Sequence, residues 1–235
     1  MLWGHGVGGG VGVLEAHGRA LDAAGRFAEV ATCCLHGRPR LAEVVAGLGA
    51  PRLYLVPMLM ADGYTARERL AEEIAGLGAE AERLTVAPVL GAHAGLAEVL
   101  TAKALAAAVA RGWQAAETRL LLVGHGTARQ PRSRESAIAQ AERIARHGCF
   151  AAVDVAFLEA EPRLDDCLAG LPPGPLVVSG LFADRGMHGE KDVPAALASH
   201  RVDAAYTGPI GSAPEIRDLV LDQVGQLVAV AEPVS

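Results

Sequence analysis

The sequence predicts an α/β fold of two tandem lobes. Each lobe is a parallel β-sheet flanked by helices, and internal duplication relates the two by a pseudo-twofold. Three observations carry this expectation. Strand-like runs alternate with helical ones along the chain, an order that favours parallel strands joined by right-handed crossovers. Most of the strand-like runs are continuously apolar, as strands covered on both faces must be. And the second half of the chain repeats the first.

The elements follow in order. The first strand is only Leu2-Trp3 before a glycine-rich loop, short enough to point to a truncated edge or an upstream start. Phe27–Leu35, Arg52–Leu59 and Arg83–Leu90 read as the remaining strands of the first half. Arg119–Gly124, Phe150–Leu158, Leu176–Phe182 and Val202–Thr207 read as strands of the second. Between them, Thr65–Leu77, Leu96–Ala110, Ser133–His147 and Glu190–Ser199 are Ala-rich, carry mixed charge and have helical spacing.

The repeat is visible in four places. Gly4-His5-Gly6 returns as Gly124-His125-Gly126, and Leu35 with Pro39-Arg40-Leu41 returns as Leu158 with Pro162-Arg163-Leu164. Leu59-Met60-Ala61-Asp62 returns as Leu181-Phe182-Ala183-Asp184, and Ala87-Pro88-Val89-Leu90-Gly91 more loosely as Gly208-Pro209-Ile210-Gly211. All four offsets lie between 120 and 123 residues. Periodicity breaks at 111–117 without a Ser/Pro linker, so the expected lobes are 1–113 and 114–235.

Composition narrows the function. The chain of 235 residues is 51% hydrophobic and only 4% aromatic, with a formal net charge of −6 and no long basic run. Nucleic acid is therefore not an expected partner: phosphate binding needs clustered cations and single strands need stacking rings. No apolar stretch reaches the length of a membrane span, and Met1–His5 lacks the pattern of a signal peptide. Cys33, Cys34, Cys149 and Cys167 form no C-x-x-C pair, which reads as reduced thiols in a cytoplasmic protein.

In open parallel sheets ligands collect beyond the carboxyl ends of the strands. This selects His125 after the fifth strand-like run, Glu159 after the sixth and His188 after the seventh. Two imidazoles and a carboxylate at one rim can bind a borderline divalent metal, accept a proton, or do both. Taken alone, Glu159 reads equally well as an acid favoured by the dipole of a helix starting near Pro162. Arg129, Arg132, Arg134, Arg185 and Lys191 lie in or just after the same loops and are candidates to pair with carboxylates of a ligand.

Three segments give these residues a family likeness. Leu121-Leu122-Val123-Gly124-His125-Gly126-Thr127, Val155-Ala156-Phe157-Leu158-Glu159-Ala160-Glu161-Pro162 and Gly186-Met187-His188-Gly189-Glu190-Lys191-Asp192-Val193-Pro194 resemble the sirohydrochlorin chelatases of the CbiX and SirB type, within the class II chelatases. The likeness is strongest over 119–195 and extends weakly over the first half, including Pro88–His93. It implies two flavodoxin-like, chelatase-like lobes with a tetrapyrrole cleft between them. It also implies ATP-independent insertion of cobalt or ferrous iron into sirohydrochlorin, in cobalamin or siroheme biosynthesis. The metal is then a substrate, and no nucleotide is needed. The family's metal-binding and inserting residues fall on His125, Glu159 and His188. A duplicated chain of this kind is expected as a monomer or a weak homodimer.

The first half departs from the pattern. It keeps His5, but His36 stands at the counterpart of Glu159 and Tyr64 at that of His188, so the first lobe reads as catalytically degenerate. A second site from His5, His36 and Tyr64 stays open. Met187 stands where the family often has glycine, and Asp184-Arg185 replaces more apolar residues. One rival reading is a tetrapyrrole or metal carrier without turnover. Another is a nucleotide-binding enzyme, since Gly4, Gly6 and Gly9 satisfy G-x-G-x-x-G. That motif is weakened by the short strand before it and by Leu35-His36 where an acidic ribose ligand should follow.

Overall fold

The computed structural model describes residues 1–6, 8–127 and 130–231. The described residues hold two four-stranded sheets, every neighbouring pair parallel. The first contains β1 (Leu2–Gly4), β2 (Thr32–Cys34), β3 (Leu53–Pro57) and β4 (Leu84–Val86), in the order β2-β1-β3-β4. The second contains β5 (Arg119–Gly124), β6 (Ala152–Phe157), β7 (Leu176–Leu181) and β8 (Ala204–Pro209), in the order β6-β5-β7-β8. Each order reverses direction after its first strand, which gives a doubly wound sheet its switch point. The short β1 is an inner strand and not an edge, registered on β2 and β3 through Leu2 and Trp3.

The helices are α1 (Val13–Ala23), α2 (Leu41–Gly47), α3 (Leu70–Ala75), α4 (Leu96–Ala110), α5 (Arg132–Arg146), α6 (Leu164–Gly170), α7 (Val193–Ser199) and α8 (Ile216–Ala231). A π-helical turn leads into α3 at Thr65–Arg69 and another into α7 at His188–Asp192. Both turns begin from a glycine carbonyl, with Arg67 N–H donating to Gly63 O and Glu190 N–H to Gly186 O, each 3.0 Å. This equivalence corrects the expected alignment. The structural counterpart of His188 is Thr65, and Tyr64 matches Met187.

The chain divides into two compact units, 1–93 with 214–235, and 94–213. These cuts differ from the expected boundary at 113/114, which follows the repeat. The reason is where two helices bury their apolar faces. The α4 face of Leu96, Leu100, Ala104 and Ala108 is covered within the second unit, where α4 meets α5, β7 and β8. The α8 face of Ile216, Leu219, Val220 and Val224 is buried in the first, where α8 meets α1 and β3.

The first core gathers Trp3, Cys33, Leu35, Leu41, Leu55 and Val89. The second gathers Leu121, Val123, Ala156, Val178, Phe182 and Val193. Leu120 through Val123 are all 0% exposed, so β5 is covered on both faces, as its unbroken apolar run requires.

All four cysteines are free. Cys33 and Cys34 are buried, and burial pushes the Cys33 thiol up to about 12. The thiolate is the reactive form, so at pH 8 Cys33 stays a largely unreactive thiol. A native thiol titration at pH 8 should label Cys149 first and Cys167 more slowly, burial having raised the latter's thiol. Cys33 and Cys34 should stay silent until denaturant is added. Mass mapping of the labelled peptides checks the order.

Candidate functional site

The three expected site residues meet at the carboxyl ends of neighbouring strands of the second unit. His125 follows β5 directly, Glu159 follows β6 and His188 follows β7, with β5 lying between the other two strands. The His125 and His188 rings touch edge to face, their centroids 4.5 Å apart and their planes at 77°. His125 Nε2 lies 3.7 Å from Glu159 Oε1. Their side chains remain 42%, 46% and 60% exposed for His125, His188 and Glu159, so a ligand can reach all three.

The backbone fixes these positions. Leu158 N–H donates to Gly124 O at 3.1 Å and Glu159 N–H to His125 O at 2.9 Å, extending the β5–β6 ladder into the loop. Gly126 has φ +66°, and a Cβ there would lie 2.8 Å from the Cβ atoms of both Phe157 and Ala160. Glycine alone combines that conformation with that approach. α6 begins at Leu164 with Asp165 and Asp166 in its first turn. Glu159 is five residues upstream of that start, outside the helix.

Hydrogen bonding settles which ring nitrogen each imidazole presents. His125 Nδ1 is 2.6 Å from Gly126 O. A carbonyl only accepts, so Nδ1 carries the proton and Nε2 the lone pair. His188 Nδ1 is 2.8 Å from Asp192 Oδ2, and an ionised carboxylate likewise makes Nδ1 the donor. Both imidazoles therefore present a basic Nε2. Near His125 that lone pair faces the Glu159 carboxylate, an approach that repels unless a proton or a cation is shared between them.

Sequence reasoning passed over two supports of His188. Asp192 orients its ring one π turn later, and the signal was present in the quoted His188-Gly189-Glu190-Lys191-Asp192 spacing. Tyr206 Oη donates to Gly189 O at 2.7 Å, pinning that turn to β8. Burial, with the Glu190 carboxylate nearby, holds the Tyr206 phenol above its ordinary value, so it stays a donor. No sequence spacing marks this contact, which joins residues 17 apart across an intervening helix.

The cations divide. Arg132, Arg185 and Lys191 are exposed beside the site loops. Arg134 is committed elsewhere, its Nη1 donating to Glu161 O at 2.8 Å, and Arg129 lies outside the described residues. Among the described residues, no three His, Cys, Asp or Glu side chains already surround one metal position. The site is a histidine pair with a carboxylate alongside, not a closed cage. In the first unit, His5 and His36 are brought together while Tyr64 is an exposed residue ahead of the first π turn.

Two like parallel α/β units, one gathering two imidazoles and a carboxylate at its strand ends, define a two-lobed protein of the chelatase fold. The chain belongs to the CbiX family, whose model matches residues 2–107 and 119–227. A curated relative from Halobacterium salinarum, described as a probable sirohydrochlorin cobaltochelatase, is 25% identical over 88% of this chain and 82% of its own. The solved structure of CbiX, described as the terminal enzyme for siroheme biosynthesis in denitrifying bacteria, is 26% identical. It has a TM-score of 0.78 and covers 96% of this chain and 97% of that one. SirB from Bacillus subtilis with Fe³⁺ is 16% identical with a TM-score of 0.82, over 98% and 95% of the two chains, a likeness of fold.

Proposed function

We propose that this protein inserts a divalent metal, cobalt or ferrous iron, into sirohydrochlorin without ATP. The observation that carries the proposal is the His125–His188 pair with Glu159 beside it, at the strand ends of a CbiX-family fold. The names of its relatives, which include a probable sirohydrochlorin cobaltochelatase and a siroheme-pathway CbiX, support the choice of macrocycle.

The chemistry follows from the geometry. A late first-row metal bound by both imidazoles would leave its remaining positions open for the macrocycle. Such a hold is weak enough to release the ion. Insertion forms metal–nitrogen bonds to the macrocycle and expels two pyrrole protons. His125 Nε2, His188 Nε2 and the Glu159 carboxylate are the bases placed to take them. Arg132, Arg185 and Lys191 supply positive charge for the substrate's peripheral carboxylates.

The test is an anaerobic absorbance assay with sirohydrochlorin and each metal in turn. Insertion well above the buffer rate is expected with cobalt or ferrous iron. Binding of the macrocycle without acceleration would overturn the proposal in favour of a carrier.

Asp192 is a positioning residue in this scheme. Asp192→Ala should weaken metal use by about 10- to 100-fold, as loss of a partner to a ligating histidine does. The effect should appear in KM for the metal more than in kcat. Asp192→Asn, which can still accept from Nδ1, should recover much of it.

A further inference from the structure

The first unit holds a second histidine pair, two of the three residues that the sequence left open as a second site. His5 follows β1 and His36 follows β2, and their rings meet edge to face with centroids 4.6 Å apart and planes at 78°. These values nearly coincide with the 4.5 Å and 77° of His125 and His188. The two pairs are built differently. In the second unit the partner imidazole comes from the loop after β7. In the first it comes from the strand on the other side, at the position where the second unit carries Glu159.

The backbone equivalence is direct. Leu35 N–H donates to Gly4 O at 2.9 Å and His36 N–H to His5 O at 2.8 Å, the same two bonds that seat Leu158 and Glu159. Gly6 has φ +87°, and a Cβ there would lie 2.2 Å from His36 O. The chain beyond is tied by Arg38 N–H donating to Gly9 O at 3.2 Å. Both histidines are exposed, so the two imidazoles meet where solvent and ions can reach them.

We propose that His5 and His36 form a second docking site for a borderline divalent cation. Two centroids 4.6 Å apart are close enough for each ring to offer a nitrogen to one ion. Two neutral imidazoles select cobalt, nickel, copper or zinc over magnesium or calcium, which require oxygen ligands. With Thr65 at the counterpart of His188 and no carboxylate at the counterpart of Glu159, the site has fewer proton acceptors than its twin. It binds metal and does not drive insertion. The inference stands apart from the proposed reaction, since it concerns residues that reaction does not use.

The experiment removes the other pair first. The full chain carrying His125→Ala and His188→Ala is titrated with cobalt(II) chloride alone by calorimetry. Further replacement of His5 and His36 by Gln should weaken the remaining binding at least tenfold or remove one equivalent. Unchanged binding would overturn the site. In case the four-residue variant folds poorly, the same question is put to the unmodified protein by imidazole-detected NMR. Substoichiometric cobalt should broaden the His5 and His36 ring signals together, while millimolar magnesium leaves them sharp. Cobalt broadening that spares these two rings would equally refute the proposal. Loss of insertion in His125 variants would not bear on either readout.

Discussion

Replacing His125 by alanine is expected to lower the rate of metal insertion by at least a hundredfold while leaving the fold intact. Its imidazole is one of two bases in edge-to-face contact, and its Nε2 faces Glu159. General-base contributions are typically about 10²- to 10⁴-fold, and in the proposed function the same group would also bind the metal. Stability should change little, because the side chain is 42% exposed and carries none of the core. Its hydrogen bond to Gly126 O is at the rim, where water can replace it. The measurement is the initial anaerobic rate with sirohydrochlorin and cobalt or ferrous iron, corrected for buffer, beside a thermal melt. A variant that melts like the parent and inserts metal at the parent's rate would remove His125 from the mechanism.

Gly211→Ala is expected to cost about 2–3 kcal/mol of stability, in the range of overpacked cores. The cause is steric. A Cβ at Gly211 would lie 2.2 Å from Ala183 O and 2.5 Å from its carbonyl carbon, and backbone cannot swing aside as a side chain can. Gly211 N–H also donates to Phe182 O at 2.9 Å, so the two segments are bonded where they would have to part. The melting temperature should fall by about 4–12 °C for a chain of this size. The displaced segment leads from β7 to His188, so insertion should fall as well. Gly91→Ala provides the control. Its Cβ would lie 2.0 Å from Met60 O in the first unit, so it should destabilise comparably while sparing the rate. Equal loss of activity in both variants would show that stability, not the position of His188, governs the effect.

Much of this arrangement could be read in advance because strand ends are local features. A continuous apolar run followed by Gly-His-Gly places the imidazole at a rim whatever the rest of the chain does, and the β5 limits matched the sequence reading residue for residue. Phe27–Leu35 was less legible. Only Thr32–Cys34 pairs as a strand, since β1 offers three residues to pair with and apolar character alone does not create a partner. The π turns were not legible: Thr65–Arg69 reads as helix, and His188 as loop ahead of a helix from Glu190. An i,i+5 bond leaves no compositional mark, yet it decides that Thr65 and not Tyr64 stands opposite His188.

The sequence by itself determined the duplicated α/β plan, the strands whose ends matter and the three side chains that gather there, because apolar periodicity and glycine spacing act over a few residues. Tertiary structure alone decided the rest. It set which nitrogen each histidine presents, since that depends on a carbonyl and on Asp192. It pinned the His188 turn through Tyr206, and it sent α4 and α8 to the units that bury them. It also brought His5 against His36. These outcomes depend on which surfaces meet in space, and two helices or two histidines of similar composition do not record their partners in their own residues.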